Sequence, residues 1–367
     1  TLQALADERR DPPPPVLEEY SGPATIETYT VHYGRDGEPL QGVVILRTPS
    51  GERTMARVVP RAAASLSLLT SWESSAVGVT GEVRNDAFGK PTWIADSDHE
   101  GKSPRRQYTT VERRGRVTIV TINRPEAMNA LHPPANAELA EIMSEFEQDA
   151  EQWVAIVTGA GDRAFCSGND LKYFSRAMAN GEQIEEPALG YAGLTANFEI
   201  SKPVIAAVNG VAMGGGFEIA LACDLIVASD SAEFALPEPK VGLAALAGGL
   251  LRLPRQIGLK QAMGMILTGR TVGAREAKSL GFVNEVTTAE QLMDCALSWA
   301  ERIAACSPMS IRASKQIVNR GLDELSVMAA YTAQSRYPAT KALFRSADLR
   351  EGPRAFAEKR PPQWTGR

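Results

Sequence analysis

The sequence contains little histidine and little cysteine. Its three histidines, His32, His99 and His132, are too scattered to indicate a histidine-based metal site or proton relay. The four cysteines have no short spacing between them, so the sequence predicts neither a zinc site nor a disulfide framework. Unpaired cysteines fit a reducing compartment, and we therefore expect a cytoplasmic protein.

An excess of positive charge and a long hydrophobic run are also missing. Lysine and arginine number 39 against 44 aspartates and glutamates, which argues against a nucleic-acid or anionic-membrane partner. The longest uncharged apolar run, residues 241–251, is shorter than the about 20 residues that a membrane-spanning helix needs. No signal peptide is recognisable. Because the chain opens at Thr1 and not at methionine, we expect its natural start to lie upstream.

What the chain does have is the length for two or three domains and the composition of a globular protein, with 44% hydrophobic and 23% charged residues. After a proline-rich lead-in over residues 1–20, short β-type segments occupy residues 21–100. The predicted strands cover residues 24–33, 40–48, 53–59, 77–84 and 92–94, with a helix over 62–70. Three strands, a helix and two more strands are the order of a small all-β, OB-like barrel.

Many OB-type barrels bind single-stranded nucleic acid through a basic groove. Residues 1–105 contain 11 Lys/Arg and 15 Asp/Glu, which does not fit such a groove. We therefore expect an accessory domain that docks a partner or presents substrate.

A polar linker over residues 101–107 precedes a change of pattern. Strands are predicted over residues 117–122, 153–158, 204–208 and 225–228, with an apolar helix over 217–223. Leu139, Ile142, Met143 and Phe146 follow a helical spacing between the first two strands. From about residue 259 the signal is nearly all helical, with helices over 289–306 and 308–320. The pattern predicts an α/β core over 108–310 and a helical region over 311–367.

Two strand-to-helix turns carry the chemistry of this core. Residues 209–218 contain three consecutive glycines between a buried strand and a helix, and residues 164–172 form a second turn of this kind. Glycine allows a ligand to approach the backbone, and a helix N-terminus presents free N–H donors. Two such turns could aim two donors at one oxygen that becomes negatively charged. Tight packing of helix on strand explains the glycines about equally well.

Glu218 and Glu238 are the candidate acid–base residues. Glu218 lies in the first turn of an apolar helix, where it is either a favourable partner of the helix dipole or a buried functional carboxylate. Pro237 and Pro239 flank Glu238 and would hold its backbone rigidly.

From about residue 108 to residue 367 the chain resembles the crotonase superfamily of enoyl-CoA hydratases and isomerases. The resemblance rests on segments that follow one another in order: residues 123–131, 165–172, 207–216, 234–242, 267–270, 274–281 and 351–360. The ending, residues 355–360 and 364–367, is most similar to the carnitinyl-CoA dehydratase subgroup. Residues 22–31 and 34–38 resemble the OB-like module that ends some thiolase-like proteins.

The resemblance implies a crotonase-type ββα spiral, a C-terminal helical trimerisation region, and homotrimers or hexamers that bind acyl-CoA thioesters. It places the oxyanion hole at the N–H groups of Asn169 and Gly215. It makes Glu218 the base that activates water and Glu238 the acid that protonates the α-carbon, with no metal or redox cofactor. The residues implied in CoA binding are Ala127, Ser167, Asp170 and Lys172, joined by Phe356 and Lys359 of a neighbouring subunit.

The sequence departs from the family pattern after Glu238, where Ala245 and Leu246 replace a Pro-Gly pair. We expect Leu246 to reshape the acyl pocket. The predicted activity is reversible hydration of 2,3-unsaturated acyl-CoA thioesters. The alternatives are a lyase or isomerase of the same superfamily, or a catalytically weak CoA-thioester-binding subunit whose barrel docks a partner such as a thiolase.

Overall fold

The computed structural model divides the chain into two compact units, Thr1–Pro104 and Arg105–Arg367, which are described separately. The structure describes residues 14–34, 39–58, 63–71, 75–85, 91–95, 106–181 and 187–367. Most of the proline-rich lead-in, residue 59 of the third predicted strand, residue 62 of the first predicted helix and residues 101–105 of the predicted linker lie outside these ranges.

The first unit is a ring of five strands with one helix and an added short strand. Its elements are β1 (Val16–Leu17), β2 (Gly22–Tyr33), β3 (Pro39–Arg47), β4 (Arg53–Val58), α1 (Ala63–Thr70), β5 (Thr80–Asn85) and β6 (Pro91–Ala95). β2, β3 and β4 pair antiparallel, as do β2 with β5 and β5 with β6. A parallel contact between Arg57 and Thr92 joins β4 to β6 and closes the ring.

The core of this unit is built by the alternation of its strands. Val44 and Leu46 point inward while Ile45 between them is exposed. Trp93 is fully buried, and its indole N–H donates to the Ala24 carbonyl at 3.2 Å. The two-residue strand β1, which pairs with β4, was not predicted, because the prolines before it hid its pattern.

The second unit consists of ββα repeats whose strands alternate between two sheets. A six-stranded sheet has the order β16-β13-β11-β9-β8-β7, and a four-stranded sheet has the order β10-β12-β14-β15. The strands are β7 (Thr109–Arg114), β8 (Val117–Ile122), β9 (Val154–Gly159), β10 (Ala164–Cys166), β11 (Val204–Val208), β12 (Val211–Met213), β13 (Leu225–Ser229), β14 (Glu233–Ala235), β15 (Val272–Gly273) and β16 (Glu285–Thr287). The pairs β9–β10, β11–β12 and β13–β14 each step from the larger sheet to the smaller one and then lead into a helical segment.

The helices cover the sheets and fill the C-terminal region. They are α2 (Pro133–Gln148), α3 (Leu171–Ala179), α4 (Gly215–Ala222), α5 (Gly249–Gln256), α6 (Leu259–Thr268), α7 (Ala274–Leu280), α8 (Leu292–Ala304), α9 (Pro308–Gly321), α10 (Val327–Ala333), α11 (Pro338–Arg345) and α12 (Ala347–Ala357). The predicted apolar stripe of α2 is buried in the main core. Beyond residue 259 the chain is nearly all helical, as predicted. Only β15 and β16 interrupt the helices in the described structure, and both are too short to show a strand pattern in the sequence. In the described parts of the chain no helix combines the length and apolarity that crossing a membrane requires.

A buried lysine joins the end of α2 to the start of β11. Lys202 is 1% exposed, and its Nζ donates to the carbonyl oxygens of Phe146 and Asp149, each at 2.6 Å. Burial lowers the pKa of Lys202 to about 8, and the nearby Glu147 carboxylate acts in the opposite direction. Lys202 therefore neutralises the carbonyl end of α2, where a cation is favourable.

We expect Lys202→Met to lower the free energy of unfolding by about 2 to 4 kcal/mol, because it leaves two buried carbonyls and Glu147 without their cation. Calorimetric thermal unfolding measures the effect. Lys260→Met, at an exposed lysine of α6, is the matched control and should change the stability little. Equal stability of the two variants would contradict this interpretation of Lys202.

Candidate active site

The two strand-to-helix turns, one with three consecutive glycines and one with the single Gly168, meet at the edge shared by β10 and β12. These strands pair in parallel, with Cys166 opposite Ala212, so the chain leaves both at the same end of the sheet. A Cβ on Gly168 would lie 2.8 Å from the Met213 carbonyl oxygen and 2.9 Å from the Gly215 nitrogen. Only glycine permits this approach, and Gly168 also has a φ of +91°. The structure thus brings together the two turns that the sequence singled out.

The contact leaves two backbone donors side by side. Leu131 accepts from the Asp170 N–H and donates to the Gly168 carbonyl, so the N–H of Asn169 between them points away from Leu131. Gly215 is the first residue of α4 and has no preceding turn to accept its N–H. Neither N–H donates to an acceptor within the described residues. Together they can bind an oxygen that carries negative charge.

Glu218 projects from the first turn of α4 into the protein. It is 2% exposed, and its Oε1 accepts from the Gly249 N–H at 2.9 Å. Burial raises the pKa of Glu218 to about 7 although the Gly249 N–H lowers it, and the negative charge of Glu238 adds to the rise. The N-terminus of α4 favours the charged form of this carboxyl, but burial acts more strongly in the opposite direction.

Glu238 approaches the same turn from the other side. It begins the 3₁₀ turn Glu238–Val241, and its Oε1 would lie 2.8 Å from a Cβ on Gly214. Its Oε2 is buried without a hydrogen-bond partner in the described structure, and burial raises the pKa of this carboxyl. Glu238 thus lies against Gly214, the residue before α4, and Glu218 projects from the first turn of that helix, so both carboxyl groups lie near its N-terminus. An unsatisfied buried oxygen here is an acceptor available to a ligand or water.

The loop after Glu238 returns to hold Glu218. Ala245 is buried, whereas Leu246 is 78% exposed. The hydrogen bonds to Glu218 come instead from the backbone of Ala247 and Gly249. The predicted effect of Leu246 on the acyl pocket stays a prediction.

The residues implied in CoA binding fall into two groups. The loops that carry Ala127 and Ser167 lie next to each other, because the Ser167 N–H donates to the Met128 carbonyl at 3.0 Å. Lys172 is exposed in the first turn of α3. The carboxylate of Asp170 is already engaged within the chain, because it caps α3 and pairs with Arg124.

In the described structure, no hydrogen bond connects Phe356 or Lys359 to Glu218 or Glu238. Phe356 is 88% exposed on α12, and Lys359 follows that helix with a left-handed φ of 53°. The segment beyond them is fixed, since the buried Asp348 accepts from the Thr365 N–H at 2.8 Å and from the Ser307 hydroxyl at 3.0 Å. Their exposure leaves both side chains available to another molecule.

Tyr191 is a site residue that the sequence analysis missed. Its ring lies 3.0 Å from where a Cβ on Gly215 would be, in a turn where buried Ala192 has a φ of 55°. The Tyr191 N–H donates to the Thr195 hydroxyl at 2.8 Å. No local sequence signal marks this turn, because its shape depends on contacts with distant residues. The described residues contain no group of three or more His, Cys, Asp or Glu side chains arranged to hold a metal.

Comparison with known proteins agrees with this geometry. The family described as "Enoyl-CoA hydratase/isomerase" matches residues 112–367. The chain belongs to this family. It is 44% identical over 261 residues to the carnitinyl-CoA dehydratase of Proteus mirabilis, covering 69% of this chain and 97% of that protein. The carnitinyl-CoA dehydratase of Escherichia coli K12 is 44% identical over 263 residues, covering 70% of this chain and 97% of the relative.

Solved structures show the same spiral, and a second family covers the first unit. The enoyl-CoA hydratases of Mycobacterium tuberculosis and Mycobacterium marinum are 41% and 42% identical to this chain, each with a TM-score of 0.66. Each match covers 71% of this chain and 100% of the solved chain. Residues 4–87 match the "Thiolase-like protein type 1 additional C-terminal domain", which confirms the resemblance noted for the first unit.

If the two carboxyls face each other, Glu238→Gln should lower the pKa of Glu218 from about 7 toward its ordinary value, because the neighbouring negative charge is gone. Infrared titration of the carboxyl bands, with Glu218→Gln as the assignment reference, measures this change. Glu233→Gln, at an exposed glutamate of β14, should leave it unaltered. An unchanged pKa in Glu238→Gln would show that the carboxyls do not interact.

Proposed function

We propose that the chain is a hydro-lyase that adds water reversibly across the 2,3 double bond of acyl-CoA thioesters. The observation that carries the proposal is the arrangement of two carboxyl groups near the N-terminus of α4, beside two N–H donors that have no acceptor within the described residues. The identity to carnitinyl-CoA dehydratases and the likeness to enoyl-CoA hydratases support the same reaction class.

The thioester oxygen would bind between the N–H groups of Asn169 and Gly215. In hydration, ionised Glu218 removes a proton from water, and the water oxygen bonds to C3. The π electrons of the double bond move to the thioester oxygen, giving an enolate that the two N–H groups stabilise. When the enolate collapses, Glu238 gives its proton to C2. Dehydration reverses each step, so Glu238 removes the C2 proton and Glu218 protonates the departing hydroxyl.

Either direction uses a pair of carboxyls that shares one proton. Hydration needs that proton on Glu238, and dehydration needs it on Glu218. Burial raises the pKa of both carboxyls, and the negative charge of Glu238 raises that of Glu218 further, so the pair can retain one proton near neutral pH. The reaction draws no cofactor into these steps beyond the CoA of the substrate itself.

We further propose that Ala127, Ser167 and Lys172 bind the CoA portion, and that Phe356 and Lys359 reach it from a neighbouring subunit. The exposure of Phe356 and of the apolar side chains on the C-terminal helices supports assembly into trimers or hexamers through this region. These include Val327, Met328 and Tyr331 of α10, and Leu325 just before that helix is exposed as well. Light scattering on the purified chain tests this directly, and a monomer would contradict it. A cytoplasmic location stays part of the proposal.

The first unit is proposed to be an OB-like docking domain for a thiolase-like partner. Its closed strand order β2-β3-β4-β6-β5 and its match to a domain of thiolase-like proteins support this role. Ile45 and Met55 lie opposite each other on its outer wall and are exposed. Co-elution of the full chain with a thiolase-like enzyme, abolished by Met55→Asp, is expected; no co-elution would contradict the docking role.

Removing either carboxyl should stop catalysis without preventing binding. We expect Glu218→Gln and Glu238→Gln each to lower kcat for crotonyl-CoA hydration by about 10²-fold or more, because each loses a proton-transfer group. Loss of the conjugated-thioester absorbance measures turnover, and Glu233→Gln is the control. Wild-type turnover in either variant, on every substrate that reacts, would show that the two-carboxyl assignment is wrong.

The pH dependence should report the shared proton. We expect kcat/KM to fall about tenfold per pH unit above about pH 7, where the pair loses its last proton, and to fall again in acid when a second proton binds. Hydration and dehydration must give the same profile, because their equilibrium constant does not depend on pH. Initial rates from pH 5 to 9 test this, and a flat profile would contradict it.

A further inference from the structure

The ion pair between Arg124 and Asp170 lies beside the proposed oxyanion donor Asn169 and takes no part in the proposed proton transfers. We infer that Arg124 and Asp170 are positioning residues that hold the N–H of Asn169 in line with that of Gly215. The inference rests on the proposed function, because it assigns the Asn169 N–H to the thioester oxygen.

The pair joins two segments that are distant in sequence. Arg124 Nη2 donates to Asp170 Oδ2 at 3.0 Å, and Nη1 donates to the Ala130 carbonyl. Both charged side chains are mostly buried, with 13% and 15% exposed. A buried, hydrogen-bonded ion pair fixes its two partners far more firmly than an exposed pair does.

Asp170 transmits this constraint to its neighbour along the chain. Its Oδ1 accepts from the Tyr173 N–H at 3.1 Å and caps α3, while its own N–H donates to the Leu131 carbonyl at 2.9 Å. Asn169 is thereby held on its C-terminal side. On its N-terminal side the Gly168 carbonyl, which belongs to the same peptide unit as the Asn169 N–H, accepts from the Leu131 N–H at 2.8 Å. The direction of the Asn169 N–H therefore depends on the positions of both Leu131 and Asp170. Arg124 holds both, because it donates to Asp170 and to the Ala130 carbonyl next to Leu131.

Arg124 is itself anchored to the sheet. Its N–H donates to Asn129 Oδ1 at 2.9 Å, and Asn129 Nδ2 donates to the Ala164 carbonyl at 2.7 Å. Ala164 begins β10, the strand that leads to Gly168. The guanidinium also lies 5.8 Å from the centre of the Tyr108 ring. Hydrogen bonds thus connect β10 through Asn129 and Arg124 to Asp170, the residue that follows Asn169 in the chain.

The chemistry of the carboxylate favours positioning over contact with CoA. Both oxygens of Asp170 are already bonded, one to Tyr173 and one to Arg124. Burial alone would raise the pKa of Asp170, but the Tyr173 N–H and Arg124 lower it below its usual value, so the group is an anion. An anion would repel the phosphates of CoA, whereas the negative charge of Asp170 is balanced by the positive charge of Arg124.

The test compares Asp170→Asn with Arg124→Lys, because asparagine still caps the helix and lysine keeps the positive charge. A misplaced oxyanion donor should lower kcat for crotonyl-CoA hydration by about 10- to 100-fold and change KM less than about threefold. The double variant should be no slower than the slower single one, because both remove one interaction. Glu112→Gln, which removes an exposed pair with Arg114, is the control.

A second measurement reports the oxyanion hole without turnover. In a Glu218→Gln background, a CoA thioester of an aromatic 2-enoic acid is bound and its absorbance recorded. Polarisation of the carbonyl by the two N–H groups should shift this absorbance to the red, and Asp170→Asn or Arg124→Lys should reduce the shift. A lower melting temperature with an unchanged shift would mean a merely structural role and would overturn the inference.

The remaining outcomes are also decisive. A rise in KM of more than about tenfold at unchanged kcat would make Asp170 a CoA contact and overturn the inference. If the wild-type chain hydrates no enoyl-CoA, the proposed function fails, yet the red shift still tests the positioning of Asn169. Reduced kcat and reduced shift in both variants, with bound thioester and an intact fold, would establish it.

Discussion

The candidate site depends on one close contact, that of Gly168 with the start of α4. Any side chain at Gly168 would collide with the Met213 carbonyl and the Gly215 nitrogen. Because the two turns touch, the free N–H groups of Asn169 and Gly215 lie beside each other, although 46 positions in the sequence separate them. The parallel pairing of β10 with β12 sets up this contact. The spiral of strands thus builds the candidate ligand site from backbone alone, and Glu218 and Glu238 are the proposed acid–base groups.

Burial, and not the helix dipole, sets the ionisation of those groups. The N-terminus of α4 favours a negative charge on Glu218, but enclosure by the residues after Glu238 opposes it more strongly. The same loop supplies the compensating N–H of Gly249. A carboxyl whose pKa lies near 7, beside a second carboxyl, can give or accept a proton, and a reversible addition of water requires both.

Local patterns in the sequence predicted the five main strands of the first unit, the strands β8, β9, β11 and β13 of the second, the stripe of α2 and the two strand-to-helix turns. They did not predict the pairing of Arg124 with Asp170, the ring of Tyr191 against Gly215, or the bond from Gly249 to Glu218. Each of these joins residues far apart in the chain, and periodicity carries no information about such partners. The strands β1, β10, β12, β14, β15 and β16 were missed for a related reason, since two or three residues are too few to display alternation. The six-residue strand β7 was missed as well.

The closure of the N-terminal ring constrains how that unit can recognise anything. With β4 meeting β6, the strands form a ring in which β3, β4 and β5 each have neighbours on both sides in the described structure. An extended peptide would find few unpaired backbone groups along these three strands. Selectivity there must then reside in the side chains of the outer wall, such as those around Ile45 and Met55. Substitutions at these positions would change what the unit contacts while the interior of the ring stays the same.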